Sequence, residues 1–194
     1  KEEEPKKDRF FAINGGVVHT VSGGDLRNVT VLCKNGKIHA IGAGLELPKD
    51  AEVLDAAGLE VYPGGVDVHT HFELPFMGTV SAADFESGTV AAACGGTTTI
   101  VDFAIPTKGR SILEALRSWH GKAAGKAVVD YGFHMALVEF DDKVAADIPK
   151  LVAEGITSFK CFLAYKGFFM VDDAQLLGVL HAAREHGALV SIHA

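Results

Sequence analysis

Beyond residue 63 the chain alternates between two hydrophobic patterns, short β-branched runs of period two and longer runs of period 3.6. Residues 66–71 (V-D-V-H-T-H) form the first short run and are predicted as a strand. His69 and His71 fall on one face, with Val66, Val68 and Thr70 on the other. A helical run at 82–94 stops at Gly95-Gly96, and the strand-like T-T-T-I-V-D-F at 97–103 follows. A helix is predicted over 111–124, with Ser111 as N-cap and Ile112, Leu113, Leu116 and Trp119 on its buried side. Then come a strand at 128–138, a helix at 142–154 kinked or shortened by Pro149, and a strand at 156–163. A helix at 172–186 and a strand at 188–193 end the series, with Gly155 and Gly187 each closing a helix before a strand.

Residues 10–62 read differently. Asn14-Gly15-Gly16 between 11–13 and 17–18 predicts a hairpin, and Asn35-Gly36 between 29–33 and 37–41 predicts a second. Short strands at 53–54 and 59–62 surround Gly58, and no helical period of useful length occurs. The expected organisation is a charged tail at 1–9, a small β module at 10–62, and β/α units from 63 to 194.

Five strands alternating with four helices predict a parallel sheet with crossover helices. A (β/α)₈ barrel and a doubly wound open sheet both fit. A complete barrel takes about 250 residues, so the stretch after Gly64 reads as its first five units and the chain as cut short.

Composition narrows the function. The 194 residues are 48% hydrophobic and 22% charged, as expected of a globular protein with a sizeable core. A net charge of −7 argues against nucleic acid or an anionic membrane as general partner. No apolar run approaches the roughly 20 residues of a membrane span, and the mixed-charge start has no signal-peptide core. The chain does not begin with Met, which leaves open a segment before Lys1. Cys33, Cys94 and Cys161 have no metal-type spacing and read as reduced thiols in an intracellular, cytoplasmic setting.

The chemistry concentrates at the predicted strand ends. His69 and His71 end the first strand, Lys160 lies on the fourth, and His193 is on the fifth. In a barrel these ends converge on one mouth. Neutral imidazole is a favoured zinc ligand, whereas an ammonium is not. Lys160 joins such a set only as a carbamate, which is anionic and can bridge two cations. Its other reading is a snorkelling surface lysine, which the surrounding S-F-K-C-F-L run disfavours. Asp67 and Asp102 are the carboxylates near these ends, and Asp67 suits a structural role better than catalysis.

The combined pattern resembles the cyclic amidohydrolases, closest to dihydropyrimidinases and hydantoinases. The resemblance is carried by P-G-G-V-D-V-H-T-H (63–71), L-P-F-M-G-T (74–79) and G-G-T-T-T-I-V-D-F (95–103). G-I-T-S-F-K-C-F-L-A-Y-K-G (155–167) and G-A-L-V-S-I-H-A (187–194) complete it. The resemblance implies a distorted TIM-like barrel beside a β-sandwich built from both chain ends, with two zinc ions per subunit at the barrel mouth. It makes His69 and His71 ligands of the more buried metal, Lys160 the carboxylated, bridging lysine, and His193 a ligand of the second metal. It makes Tyr165 the tyrosine that binds the ring carbonyl and stabilises its oxyanion. Leu74, Phe162 and Phe169 become the wall facing the exocyclic group, though on residue type alone those three are core. A further His ligand and a proton-shuttling Asp are expected beyond Ala194.

The implied reaction is zinc-dependent hydrolysis of a cyclic amide in pyrimidine catabolism. Dihydrouracil, dihydrothymine or a hydantoin would open to an N-carbamoyl amino acid, in a homotetramer. Two rivals follow from the same likeness. A non-catalytic scaffold relative would be expected to replace the ligands, and here all four stand. An allantoinase or dihydroorotase would share the metals. A basic residue beside His71 would favour dihydroorotase, but Phe72 and Glu73 stand there.

Overall fold

The computed structural model describes residues 7–76 and 78–194, so residues 1–6 of the charged tail and Met77 of the L-P-F-M-G-T motif lie outside the described residues. The chain divides into two compact units at Pro63/Gly64.

Among the described residues the first unit holds seven strands: β1 (Phe10–Asn14), β2 (Val17–His19), β3 (Asp25–Arg27), β4 (Thr30–Lys34), β5 (Lys37–Gly42), β6 (Glu52–Asp55) and β7 (Glu60–Val61). They form a four-stranded sheet, β5-β4-β1-β6, and a three-stranded sheet, β3-β2-β7. Val18 and Val61 of the smaller sheet share one apolar cluster with Ile13, Val31 and Cys33 of the larger. The hairpin expected at Asn35-Gly36 forms between β4 and β5, with φ of 52° and 76° at those two residues, the left-handed pair of a type I′ turn.

The hairpin expected at Asn14-Gly15-Gly16 does not form. β1 pairs with β4 and β6, whereas β2 lies in the other sheet. Gly15, at φ 87°, gives its N–H to the Val29 carbonyl, and Gly16 passes so close to Val61 that a Cβ would sit 2.9 Å from its methyl. The glycines thus carry the chain from one sheet to the next. Composition of the turn is the same in either case, so the local signal does not separate them.

The second unit holds the β/α series: β8 (Gly65–Thr70), β9 (Pro75–Phe76), β10 (Thr79–Val80), α1 (Phe85–Cys94), β11 (Thr97–Ala104), α2 (Ile112–Ala123), β12 (Asp130–Ala136), α3 (Asp142–Ala153), β13 (Ser158–Phe162), α4 (Asp173–Glu185) and β14 (Leu189–His193). Asp84, Ser111, Asp141 and Asp172 cap the four helices, Asp84 and Asp172 through reciprocal capping boxes. Pro149 sits inside α3, which continues past it to Ala153. The stretch between β8 and α1 carries a small ladder, β9 against β10.

The main sheet runs β14-β13-β12-β11-β8, every neighbouring pair parallel. That order is strictly sequential. A doubly wound sheet needs a reversal of strand order at its switch point, so the sheet is a parallel half-barrel. Helices cover one face: Ile100, Met135, Leu137, Phe159 and Cys161 from the strands join Leu116, Ile148 and Val179 from the helices, all at most 1% exposed. Burying side chains of this size contributes roughly 1.5–3 kcal/mol each. The opposite parity on each strand is left to face inward, and the candidate residues lie there. Among the described residues no helix is long and apolar enough to cross a membrane.

Candidate active site

A cavity of about 410 Å³ opens at the C-terminal ends of the half-barrel strands. His69, His71, Leu74, Lys160, Phe162, Tyr165, Phe169 and His193 all line it. These are the eight positions singled out from sequence. Phe76, Phe103 and Ile105 complete the lining.

Strand register accounts for the convergence. Ala136 stands level with Lys160, and Lys160 with Ser191, while Phe162 stands level with His193. Lys160 and Phe162 share the inward face of β13, and Phe159 and Cys161 go to the helix-packed core. Lys160 is only 7% exposed, and its Nζ lies 5.9 Å from the Phe103 ring and 5.7 Å from the Phe162 ring. Among the described residues no carboxylate lies within ion-pairing distance of it. Next to it, burial raises the Cys161 thiol to about 11, so that thiol stays protonated and inert at neutral pH.

β8 delivers the two imidazoles through a local irregularity. Asp67 pairs with Ile100 and Thr70 with Asp102, so three steps on β8 oppose two on β11. This bulge falls at Val68-His69. The amide it frees at His69 donates to Asp67 Oδ1 at 3.0 Å, which gives Asp67 the structural part expected of it. The rings of His69 and His71 stand edge to face, 5.2 Å apart, each about 5 Å from Phe103. Solvent reaches both, because β8 is an edge of the sheet.

Partial burial lowers the pKa of His71 below the usual imidazole value. Asp102 pulls it upward, whereas His69 and Lys160 push further down. The neutral ring, the form that binds metal, is thereby favoured.

Asp102 lies on the helix side of β11, 1% exposed. Its Oδ2 accepts from Thr70 Oγ1 and from the Phe72 amide, both at 2.8 Å, and its Oδ1 accepts from the Phe103 amide at 2.7 Å. Burial raises its pKa against the pull of those three bonds. It brackets His71 from both sides along the chain.

The loop after His71 is clamped in turn. Glu73 adopts φ 47°; its carbonyl accepts from Lys122 Nζ at 2.9 Å, and its carboxylate pairs with Lys126 at 3.0 Å. This loop brings Leu74 and Phe76 to the cavity, where Phe76 meets Tyr165 and Phe169 at 5.8 and 6.1 Å. Tyr165 also has a left-handed backbone, φ 62°, and its carbonyl accepts from the amides of Phe168, Phe169 and Met170. Strain of about 1–3 kcal/mol is held there by surrounding bonds. His193 lies against Tyr165 and Phe162, at 5.4 and 5.8 Å between rings. Among the described residues no three His, Cys, Asp or Glu side chains come close enough to hold a metal by themselves.

The family model for the amidohydrolase family matches residues 61–194. The chain belongs to the amidohydrolase family. It is 51% identical over 183 residues to the D-hydantoinase of Geobacillus stearothermophilus, covering 94% of this chain and 38% of that one. It is 46% identical over 165 residues to the dihydropyrimidinase of Dictyostelium discoideum, covering 84% of this chain and 33% of the relative. A crystal structure of a D-hydantoinase superposes with a TM-score of 0.91 at 50% identity, over 95% of this chain and 40% of the other. The chain therefore spans a third to two fifths of the length of these relatives. Within this family-matched region, His69, His71, Lys160 and His193 from the strand ends and Tyr165, Leu74, Phe162 and Phe169 from the family likeness gather round one cavity.

Proposed function

We propose that this chain supplies the substrate wall and the first part of the metal centre of a cyclic amide hydrolase. Its substrates are six-membered dihydropyrimidines or five-membered hydantoins, opened to N-carbamoyl amino acids. The carrying observation is the convergence of His69, His71, Lys160, Tyr165 and His193 on one cavity. The relatives' names, D-hydantoinase and dihydropyrimidinase, point to the same substrate class.

The residues suit two zinc ions. Burial favours neutral His71, and a nearly buried Lys160, with no carboxylate partner among the described residues, is costly as an ammonium. Carboxylation converts that cost into an anionic donor. His69 and His71 would hold one metal, His193 the other, and Lys160 both. Metal in such a site supplies a water acidified to near neutral pH and a Lewis acid for the carbonyl.

The chain's own groups do the rest. The Tyr165 hydroxyl donates to the ring carbonyl oxygen and holds the negative charge that develops there. Leu74, Phe76, Phe162 and Phe169 enclose the ring substituent and exclude water, which strengthens that hydrogen bond. The domain reading carries over as a β module followed by five barrel units, in a cytoplasmic homotetramer.

The test is hydrolysis by the protein expressed from its full gene. Turnover of dihydrouracil or hydantoin to the N-carbamoyl acid supports the assignment. Turnover only of allantoin or dihydroorotate would move the substrate to a sister enzyme.

A further inference from the structure

His134 sits on the inward face of β12 and reaches both strands that carry the innermost candidate ligands. Its Nε2 lies 2.9 Å from the Val68 carbonyl on β8, and its Nδ1 lies 2.5 Å from Ser158 Oγ on β13. β8 and β12 are not neighbours; β11 runs between them. The carbonyl can only accept, so Nε2 carries the proton, and in the neutral ring Nδ1 accepts from the Ser158 hydroxyl. The contact with β8 falls in the bulge, one residue before His69. The contact with β13 falls two residues before Lys160, on the same face. His134 also packs against Phe103 at 4.8 Å, and Phe103 in turn touches both β8 imidazoles.

We infer that His134 is a positioning residue for the metal centre, resting on the function proposed above. It spans the half-barrel interior, pins the bulge that aims His69, and fixes the distance from that bulge to the strand carrying Lys160. Bulges beside sites re-aim side chains, and this one interrupts the ladder between β8 and β11, so other contacts must hold it. Asp67 secures its amide and His134 its carbonyl. A ligand held by groups behind it typically loses tenfold to a hundredfold in metal affinity when those groups are removed.

The experiment is zinc affinity by chelator competition on the protein expressed from its full gene, with His134→Leu, His134→Gln and Ser158→Ala. His134→Leu keeps bulk and loses both bonds; its zinc affinity is expected to fall at least about tenfold. Gln restores a donor toward Val68, so His134→Gln recovers most of that loss, and Ser158→Ala falls between. Thermal unfolding of the metal-free proteins runs alongside. If His134→Leu does not fold, the Gln and Ser158 variants decide by the same measure. Wild-type zinc affinity in folded His134→Leu, or in both other variants together with no rescue pattern, overturns the positioning role and leaves the metal reading intact. A wild-type protein that holds no zinc overturns both.

Discussion

Asp102 accepts the Thr70 hydroxyl at 2.8 Å from beneath the strand, on the opposite side of the sheet from the His71 imidazole that Thr70 precedes. The same carboxylate oxygen takes the Phe72 amide, so the one buried acid fixes the chain before and after His71. Hydrogen bonds to a charged group contribute about 1.5–3 kcal/mol each. Asp102→Ala is expected to lower unfolding free energy by about 3 kcal/mol in urea, allowing for relaxation. Asp102→Asn keeps an acceptor and is expected to cost less. Because burial raises the folded-state pKa, the folded form binds its proton more tightly than the unfolded chain does. The Asp102 contribution therefore declines as pH rises from the unfolded carboxylate value through the raised one, and Asp102→Asn removes that slope.

Lys160 pits stability against function. A nearly buried ammonium with no carboxylate partner among the described residues is expensive. Lys160→Met is expected to stabilise the metal-free protein by about 1–2 kcal/mol while abolishing metal-dependent turnover. Urea unfolding of the two proteins in chelator checks the first half of that statement.

Tyr165 lines the same cavity as the imidazoles, packed against His193, with its backbone held left-handed. Tyr165→Phe keeps the ring contacts with Phe76, Phe162 and Phe169 and removes only the hydroxyl. If that hydroxyl stabilises the developing oxyanion, kcat falls by about 10²–10³ with little change in KM. A selective rise in KM would instead assign Tyr165 to binding.

His19 offers a pH test in the first unit. Its Nδ1 lies 2.7 Å from Asp25 and its Nε2 2.5 Å from Glu60, joining β2 to β3 and to β7. Its ring stacks on Tyr62 at 4.3 Å. The Glu60 bond, followed by Asp25, raises its pKa above 6.5, against some desolvation. The folded state thus holds the proton more tightly, and the stabilisation is complete below pH 6.5 and lost as pH climbs through the raised value. The difference in stability between wild type and His19→Gln should shrink over that interval. A difference independent of pH would show that the charge plays no part.

Much of the site was legible because strand parity is a strict rule. Once 66–71 read as a strand, His69 and His71 had to share a face; the strand ends put Lys160 and His193 with them, and the family likeness added Tyr165, Leu74, Phe162 and Phe169. What escaped depended on contacts between distant segments. The bulge at Val68-His69 leaves no trace in composition, and nothing in its own strand sets His134 apart as a bridge between strands. Phe76 and Phe103 were not singled out, because an aromatic ring lining a cavity looks, in sequence, like one filling a core. Phe76 stood inside the L-P-F-M-G-T motif, so its position was the available signal. The misread turn at Gly15-Gly16 has the same cause, since two glycines permit a hairpin or a change of sheet and only long-range pairing decides.

The most direct test of the metal-assisted reading is zinc content together with dihydrouracil hydrolysis of the protein expressed from its full gene, in wild type and Lys160→Ala. The account predicts about two zinc ions per chain and ring opening in the wild type. It predicts loss of turnover and of bound metal when Lys160 is removed. A folded wild-type protein with neither zinc nor turnover, or a Lys160→Ala protein that retains both, would contradict it.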